Sequence, residues 1–596
     1  MLICYQHTSA QKNEMKKDSS KGYRNIEKYS KKRKFTQFIH KLIFHPIAKK
    51  KVKKKPVQKN QTINYKKYEG KIIRNIKITT LDPFGYSDKD STQIPKNFAQ
   101  KVGNDLHLKT KNIAIKNLLL IKKNKPLDSL LIKESERLIR SQRFTRSVTS
   151  QVNSISEDSV DVYIRVLDSW SLVPDISSST SKSKFYLKDK NIFGLGHEFS
   201  NSYTKSLKSK ENGYSINYFI PTIRNTFISA RLNYDIDLNR NYTKFIQVER
   251  PFFSSYARWA AGIQLGQNLN KIAVTDLNQI VVLENAKFNY QDYWGGHAFR
   301  IFKGNSEFSR TTNFVTSARF YNRNFIDNPL IKSDSLNIYS SEKLYLISLG
   351  ITSRKFKQDK NIFNFNVVED VSSGFVYNLT TGYQKKYEDY KFYFGGRITI
   401  GDYFKFGYLS GNLEFGTFLD LGKTNQTATS LRFTYFTNLQ EIGKWKFRQF
   451  VKPQLIIGNN RLNSNYDRLT LNGATNGIDG FNSTTLFGTK KLLLTFQSQG
   501  YSPWRIFGFR LNPYMSYTAA MLGQQDIGFS KSKLYSQISL GVIISNDYLI
   551  FNSFQFSLSY YPNIPDGNSV FKTNSINTSD FGLQNFELSK PNLITY

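Results

Sequence analysis

The chain has 596 residues, more than one soluble core normally holds, so we expect several units unless one of them is a large barrel. A mean hydropathy of −0.47 and the lack of an apolar run of about 18 residues exclude membrane-spanning helices, but not spanning strands with one polar face. The single cysteine, Cys4, excludes a disulfide framework and a thiolate metal site.

The net charge of +40 is concentrated near the start of the chain, where lysine runs include Lys49–Pro56. No nucleic-acid-binding module follows, so we interpret these runs as a solvated linker or an anionic-membrane contact and expect no nucleic-acid partner. The opening residues resemble the end of a secretory signal, with small residues at Thr8–Ala10, and we expect the natural start to lie upstream. Residues 1–67 are predicted to be basic and largely disordered. The apolar stripe within Phe35–Ile43 predicts a short helix, either docked on a membrane or barrel mouth or transient.

Residues 68–170 have the pattern of a small α/β domain. The predicted order is strand, helix, helix, strand, strand, over Lys71–Thr80, Thr110–Leu120, Leu127–Gln142, Phe144–Val152 and Ser159–Leu167. A serine-rich stretch then predicts a linker over residues 171–182.

Residues 183–596 alternate apolar and polar side chains in many segments of about ten residues. Within Phe227–Asn239 the even positions from Ile228 to Leu238 are apolar, and most odd positions are polar. Ten residues match the height of a tilted transmembrane strand. A soluble sandwich gives shorter stretches, so the repeated pattern favours a large antiparallel membrane barrel. The aromatic content of 15% agrees with the interfacial girdles of such barrels.

The sequence of residues 72–174, followed by LKDKNIFGLGHEFSNSY at Leu187–Tyr203, resembles a POTRA domain leading into the first strand of a POTRA-barrel outer-membrane protein. Phe245–Gly262 resembles a further strand pair of that barrel. The resemblance implies a mainly β fold, a barrel of about 16 strands and an N-terminal part in the periplasm. It also implies a weak seam between the first strand, with Asn191, Gly194 and Gly196, and a last strand ending at Tyr596.

The family has a lumen loop motif, and the matching residues here are Ile478, Asp479, Gly480 and Phe481. Asp479 stands where the family has an arginine that pairs with an acid on the barrel wall. We therefore expect an inverted ion pair between Asp479 and Arg510, although a plain Asp–Gly turn explains the residues equally simply.

Reactive groups do not converge in this sequence. The six histidines are scattered, and neither a nucleophile elbow nor a phosphate loop with its lysine occurs, so we expect no enzyme, no cofactor and no metal.

The resemblance implies an assembly factor that inserts polypeptide clients into the outer membrane by POTRA strand addition and lateral gating of the barrel. The implied partners are unfolded outer-membrane or secreted polypeptides, the lipid bilayer, periplasmic chaperones and accessory lipoproteins. A two-partner-type secretion transporter is the first alternative, and a passive porin-like barrel is the second.

Overall fold

The structure is a computed structural model. It describes residues 64–596 except 97, 179–180, 276–280, 330–337, 364–366, 387–388, 421, 463–466, 474–475, 507–508, 547–552, 575–580 and 595. The predictions for residues 1–63, including the helix at Phe35–Ile43, lie outside the described residues.

The first unit is a small α/β domain that begins with a 3₁₀ turn at Tyr65–Tyr68. Its elements are β1 (Ile72–Leu81), α1 (Phe98–Asp105), α2 (Asn112–Lys116), α3 (Ser129–Arg140), β2 (Thr145–Ser154) and β3 (Ser159–Asp168). Strand β3 lies in the middle of the sheet, parallel to β1 and antiparallel to β2. The predicted order of elements is therefore found, with α1 as an additional helix that the sequence pattern did not predict.

The amphipathic pattern of α3 explains how this domain holds together. Asp128 caps the helix by accepting hydrogen bonds from the backbone N–H groups of Leu130 and Leu131, at 3.0 and 3.2 Å. Ile132 and Ile139 then face the sheet and are fully buried in the domain core with alternate side chains of β3.

The rest of the described chain forms one large antiparallel sheet in which strands adjacent in sequence pair with each other. The strands of its first half are β4 (Leu172–Ser178), β5 (Lys182–Ile192), β6 (His197–Ser206), β7 (Asn212–Ile220), β8 (Ser229–Ile236), β9 (Tyr242–Arg250), β10 (Trp259–Thr275), β11 (Val281–Arg300), β12 (Thr312–Asp327), β13 (Glu342–Lys360) and β14 (Val368–Lys386). Those of its second half are β15 (Asp389–Phe404), β16 (Gly407–Asp420), β17 (Lys423–Thr437), β18 (Gln440–Ile442), β19 (Trp445–Asn459), β20 (Lys490–Tyr501), β21 (Arg505–Ile506), β22 (Phe509–Gly523), β23 (Leu534–Asn546), β24 (Ser553–Tyr560) and β25 (Phe571–Thr573). A short helix, α4 (Glu307–Thr311), and a 3₁₀ turn at Arg224–Thr226 lie in the connections.

The order of the strands follows a barrel in which β25 comes next to β4. No residue-by-residue ladder across this seam is found in the described part of the chain, where β25 pairs with β24 and β4 with β5. The sheet has more strands than the predicted number of about 16. Most connections between strands are shorter than the prediction assumed, so more strands fit into the same length of chain. The predicted linker at 171–182 is also wrong, since Leu172–Ser178 pairs with β5 as the first strand of the sheet.

The small domain contacts the connections β5–β6, β7–β8, β9–β10 and β11–β12 and the start of β14, which lie at one end of the sheet, and we call this end the domain rim. The opposite end is the far rim, where residues 460–489 form the longest connection, between β19 and β20. No helix in the described residues is long and apolar enough to cross a membrane.

Candidate functional site

The two faces of the large sheet have opposite chemistry. On β13, Tyr345, Ile347 and Leu349 are about half exposed, whereas their neighbour Ser348 is only 6% exposed. The same alternation recurs around the sheet. The exposed apolar side chains include Leu232, Tyr234, Ile246, Ile263, Leu265, Leu379, Ile398, Ile400, Leu413, Phe433, Leu492, Leu540, Phe556 and Leu558. The buried polar side chains include Ser317, Thr380, Thr399, Asn412, Ser430, Thr434, Gln454, Gln497, Ser516, Thr518, Ser539, Ser557 and Ser559.

This arrangement is the reverse of a soluble protein, which buries apolar side chains and exposes polar ones. An exposed apolar band of this extent requires an apolar surrounding, since soluble monomers rarely expose large contiguous apolar patches. The inner face encloses an interior lined by hydroxyl and amide groups, between which lie buried apolar clusters such as Leu344, Leu346, Tyr393 and Phe418. Within it lie the 460–489 connection, which we call the lumen loop, and the last residues of the sequence.

The lumen loop carries the predicted motif and is anchored by its apolar residues. Ile478 is fully buried and Phe481 is 3% exposed, in one cluster with Leu471 and Tyr561. The ring of Phe481 makes an edge-to-face contact with Tyr535, with centroids 5.7 Å apart. Phe481 therefore fixes this end of the lumen loop by packing.

The backbone of the motif is held by donors on the inner wall. The carbonyl oxygen of Asp479 accepts hydrogen bonds from the hydroxyl of Tyr561 at 2.6 Å and from Nε2 of Gln537 at 2.9 Å. The carbonyl oxygen of Gly480 accepts one from Nζ of Lys572 at 2.7 Å. Gly480 has a φ of +70°, a conformation in which a residue without Cβ is favoured.

A carboxylate at the far rim fastens the other side of the loop. Asp566, in the connection between β24 and β25, accepts hydrogen bonds from the hydroxyls of Thr485 and Ser483 and from the backbone N–H of Thr484, at 2.6 to 2.8 Å. These hydrogen bonds lower the pKa of Asp566, because they stabilise the ionised carboxylate.

Arg510 lies on β22 on the same side of the strand as the buried Asn512 and Tyr514. One of its Nη atoms donates a hydrogen bond to the carbonyl oxygen of Ser502 at 3.0 Å, toward the domain rim. The ion pair between Asp479 and Arg510 stays a prediction.

The predicted gate residues Asn191, Gly194 and Gly196 form a different kind of site. Asn191 is fully buried, and its amide Nδ2 donates to the carbonyl of Leu108 at 3.1 Å and to the hydroxyl of Thr110 at 2.9 Å. Its Oδ1 accepts a hydrogen bond from the backbone N–H of Gly196 at 2.8 Å. These residues fasten the β5–β6 connection to the small domain.

The two glycines are required by close approach as well as by backbone conformation. Gly194 and Gly196 have φ of +68° and +74°, and a Cβ at either would lie 2.5 Å from the small domain, at the carbonyl of Lys109 and the ring of Phe144. The interpretation of this turn as one side of a seam with Tyr596 is therefore wrong. The strands beside the seam in the barrel order are β4 and β25.

Further contacts fix the small domain against the domain rim. Arg140 of α3 makes a two-pronged ion pair with Asp370 at the start of β14, with N–O distances of 2.7 and 2.9 Å. Asp128 pairs with Arg310 of α4 at 2.6 Å. Phe253 stacks on Phe227 with ring centroids 3.7 Å apart, so that two barrel turns join the core of the domain.

The free edge of β2 is occupied at its middle by two side chains of the domain. The backbone N–H of Ser150 donates to Oε1 of Glu136 at 3.0 Å, and its carbonyl accepts from the hydroxyl of Tyr65 at 3.1 Å. The same hydroxyl lies 2.8 Å from Oε1 of Glu136, so its single hydrogen is shared between the Ser150 carbonyl and the Glu136 carboxylate. Burial raises the pKa of Glu136, partly offset by these hydrogen bonds and by Arg140. We call these three residues the edge cap.

Tyr596 lies inside the barrel and not in a closing strand. Its hydroxyl donates to the carbonyl of Thr489 at 2.9 Å, and its ring lies against Gly458 and beneath the guanidinium of Arg461. Sequence reasoning missed this placement, although Pro591 in the same stretch cannot donate to a regular ladder.

The histidines of the described residues have structural partners. His107 lies against Asp168 at 3.0 Å in the buried domain core, and His197 is hydrogen-bonded to the hydroxyl of Tyr218 at 2.8 Å. Within the described part of the chain, no three histidine, cysteine or acidic side chains are grouped so that they could hold a metal ion.

The fold and its two faces define a mainly β protein, with a large antiparallel barrel-like sheet that carries a small α/β domain at one rim. No family model and no curated protein matches the sequence. Among solved structures, the chain is similar to CdiB from Escherichia coli, with 13% identity over 85% of this chain and 75% of that one and a TM-score of 0.43. It is also similar to CdiB from Acinetobacter baumannii, with 9% identity over 92% and 97% of the two chains and a TM-score of 0.37. A third similar structure is BamA from Haemophilus ducreyi lacking POTRA domains 1–3, with 9% identity over 85% and 83% and a TM-score of 0.29.

Proposed function

We propose that this protein spans the outer membrane as a β-barrel and assembles polypeptide clients into that membrane, with its small domain in the periplasm as a POTRA domain. The observation that carries this proposal is the exposed apolar outer face of the sheet, whose polar side chains point mostly inward, combined with a domain docked at one rim. Hydrocarbon around the barrel satisfies the outer face, because lipid tails cover apolar side chains at no cost.

The edge cap supports a role in binding extended polypeptide. A strand edge with free N–H and C=O groups recruits any extended chain, whatever its sequence. At Ser150 both groups are bonded to side chains, which an incoming backbone would replace with equivalent hydrogen bonds. The cap therefore protects the edge from unwanted pairing while leaving it exchangeable.

The seam between β4 and β25 supports lateral insertion. Strand β25 has only three residues, pairs with β24 and stands next to β4 in the barrel order, so the contact between the first and last strands is short. A client strand pairing at such a seam satisfies backbone groups that would otherwise each cost several kcal/mol in lipid. The accessory lipoproteins and periplasmic chaperones expected from the sequence belong to this proposal.

Secretion of one partner protein through the lumen is the second candidate. The polar lining of the interior favours it, since a hydrophilic chain can pass such a surface without desolvation. Transport would require the lumen loop and the last residues of the sequence to move aside.

Depletion of the protein tests these functions directly, with quantitative profiling of the outer membrane. Loss of many barrel proteins supports assembly, and loss of one exported protein supports secretion. An unchanged protein composition of the outer membrane contradicts both functions and supports the passive porin-like barrel. A strain re-expressing the intact chain is the control, because it must restore the lost proteins.

A further inference from the structure

The last residues of the sequence, 581–596, cross the interior of the barrel, and we call them the inner segment. Within its described residues the segment forms no strand. Its first limb runs to β11, where Nζ of Lys590 lies 3.0 Å from the carboxylate of Asp292. The chain turns at Pro591 and returns past β15 to β19, where Tyr596 lies against Gly458.

The inner wall binds the backbone of this segment through side-chain donors. Five successive or nearly successive carbonyl oxygens each accept a hydrogen bond from a different wall residue. The pairs are Ser372 to Gln584 at 3.0 Å, Arg397 to Asn585 at 2.6 Å, Thr352 to Phe586 at 2.7 Å, Ser317 to Ser589 at 3.1 Å and Arg319 to Pro591 at 3.2 Å. Because every residue has a carbonyl, this mode of recognition does not depend on the sequence that is bound.

Glycines on the wall make room for the side chains of the segment. A Cβ at Gly401 would lie 2.8 Å from the ring of Phe586, and one at Gly350 would lie 2.7 Å from Leu588. Both apolar side chains are buried, at 0% and 7% exposure. The wall therefore provides apolar depressions between its polar donors, which is the pattern of a peptide-binding groove.

One ion pair makes the inner wall favour the chain's own inner segment over other polypeptides. Arg354 of β13 lies 2.5 Å from Glu587 and also donates to the carbonyl of Phe252 at 3.0 Å. Arg354 is 9% exposed, so the loss of Glu587 would leave a buried charge without its partner.

From these contacts we infer that the inner wall from β11 to β16 is a binding track for extended polypeptide, which the inner segment occupies at rest. An extended client segment with two apolar side chains spaced like Phe586 and Leu588 would compete for the same donors and depressions. The inference deepens the proposed function, on which its biological meaning rests, by adding a client site inside the barrel that is separate from the edge cap and the seam.

A disulfide lock tests the inference in the full chain. With Cys4 replaced by serine, the chain has no other cysteine, so new pairs are unambiguous. A Cβ at Gly416 would lie 3.1 Å from Cβ of Ile594, a few tenths of an ångström below the usual disulfide range of about 3.5–4.5 Å, and it would contact the hydroxyl of Tyr393, so both side chains must shift slightly for the bond to form. The pair Gly416→Cys with Ile594→Cys therefore locks the return limb onto the wall. The pair Thr495→Cys with Thr518→Cys, whose hydroxyls are 3.3 Å apart on neighbouring strands, is the matched control.

The probe is a fluorescent peptide with the sequence of residues 581–596, and its anisotropy is measured with purified full-length protein. Reduction breaks the disulfide and allows the return limb to leave the track for a fraction of the time. The apparent affinity for the peptide should therefore increase at least about tenfold. The control pair should show no such redox dependence. Glu587→Arg, which repels Arg354, should also bind the peptide more tightly than the unmodified chain.

Equal binding to the locked and reduced proteins would overturn the inference, since the peptide would then bind elsewhere. Failure of both the reduced protein and Glu587→Arg to bind would overturn it too. A peptide in which Phe586 and Leu588 are both replaced by Asp should bind at least about tenfold more weakly, and equal binding counts against the track. Peptide binding without any depletion phenotype would refute the proposed function alone, whereas a depletion phenotype without peptide binding would refute the track alone.

Discussion

At the scale of single residues, the edge cap both satisfies and covers the middle of a strand edge, since Ser150 and Tyr65 are only 1% and 3% exposed. Without the side chains of Tyr65 and Glu136, Ser150 would present an unpaired N–H and C=O at a sheet edge. Other chains could pair with such an edge and aggregate. Tyr65 and Glu136 satisfy both groups, and their short reach means that a backbone can replace them. The edge cap contains a buried carboxyl group, that of Glu136. Its ionisation should make the stability of the domain depend on pH.

Replacement of Glu136 by Gln should alter how stability depends on pH. The folded pKa of Glu136 is raised above its ordinary value of 4.5 mainly by burial, so the folded state binds the proton more tightly than the unfolded state. Stability from this group is therefore full below the ordinary value and is lost as the pH rises through the folded value. Glutamine keeps an acceptor for Ser150 and Tyr65 but does not ionise.

The measurement is hydrogen exchange of residues 145–154 in the full chain, comparing variant with wild type at each pH. The variant should become relatively more protected as the pH rises, and Glu157→Gln, at an exposed site of the same domain, should not. A difference that stays constant with pH, or that reverses, contradicts the assignment.

The charges of the lumen loop provide a second residue-scale prediction. If Asp479 pairs with Arg510, either reversal alone should weaken docking of the loop, by about 1 kcal/mol or more, and the exchange of both should restore it. Protease resistance of residues 460–489 in the folded protein is the measurement. Should the double exchange protect the loop no better than the single reversals, the pairing idea fails and a plain turn remains.

At the scale of elements, helix α3 connects the small domain to the barrel wall. Its Arg140 meets Asp370 at the start of β14, and both side chains are mostly buried. The same helix carries Glu136 of the edge cap, so a change in docking reaches the strand edge through one rigid element.

Replacement of Asp370 by Asn should loosen this docking by about 3 kcal/mol, since it leaves the guanidinium of Arg140 buried without its charge partner. The double variant Arg140→Met with Asp370→Leu should recover much of the loss. Limited proteolysis between the domain and the barrel measures the docking. Equal cleavage of wild type and Asp370→Asn would show that the ion pair does not hold the two units together.

The sequence was most informative where the alternation of side chains is long. The alternation of Phe227–Asn239 predicted β8, and segments like it predicted the large sheet, just as the amphipathic pattern of Leu127–Gln142 predicted α3. It was least informative for Leu172–Ser178, because serine and proline are typical of loops and the ladder to β5 depends on a distant partner. The path of the inner segment could not be predicted either, since it depends on glycines such as Gly350 and Gly401 that lie far away in sequence.

At the scale of the whole molecule, the central feature is which face of the sheet contacts lipid. The barrel turns its apolar side outward and fills its polar interior with the lumen loop and the inner segment, while the small domain closes around one rim. Assembly at the seam, strand exchange at the edge cap and binding inside the track all presume that the outer face lies in lipid. Without lipid around that face, none of these steps has a reason to occur.

Spin labels along β13 in the Cys4→Ser background test that claim most directly, with the protein reconstituted in bilayers. Labels at Tyr345, Ile347, Leu349 and Ile351 should be accessible to oxygen, which partitions into hydrocarbon, and should be shielded from a water-soluble nickel complex. Labels at Ser348 and Thr352, which face the interior, should be shielded from oxygen in the hydrocarbon, which gives an alternation of period two in oxygen accessibility. Loss of that alternation, or nickel access at the apolar positions, would contradict a lipid-covered barrel and the functions proposed for it.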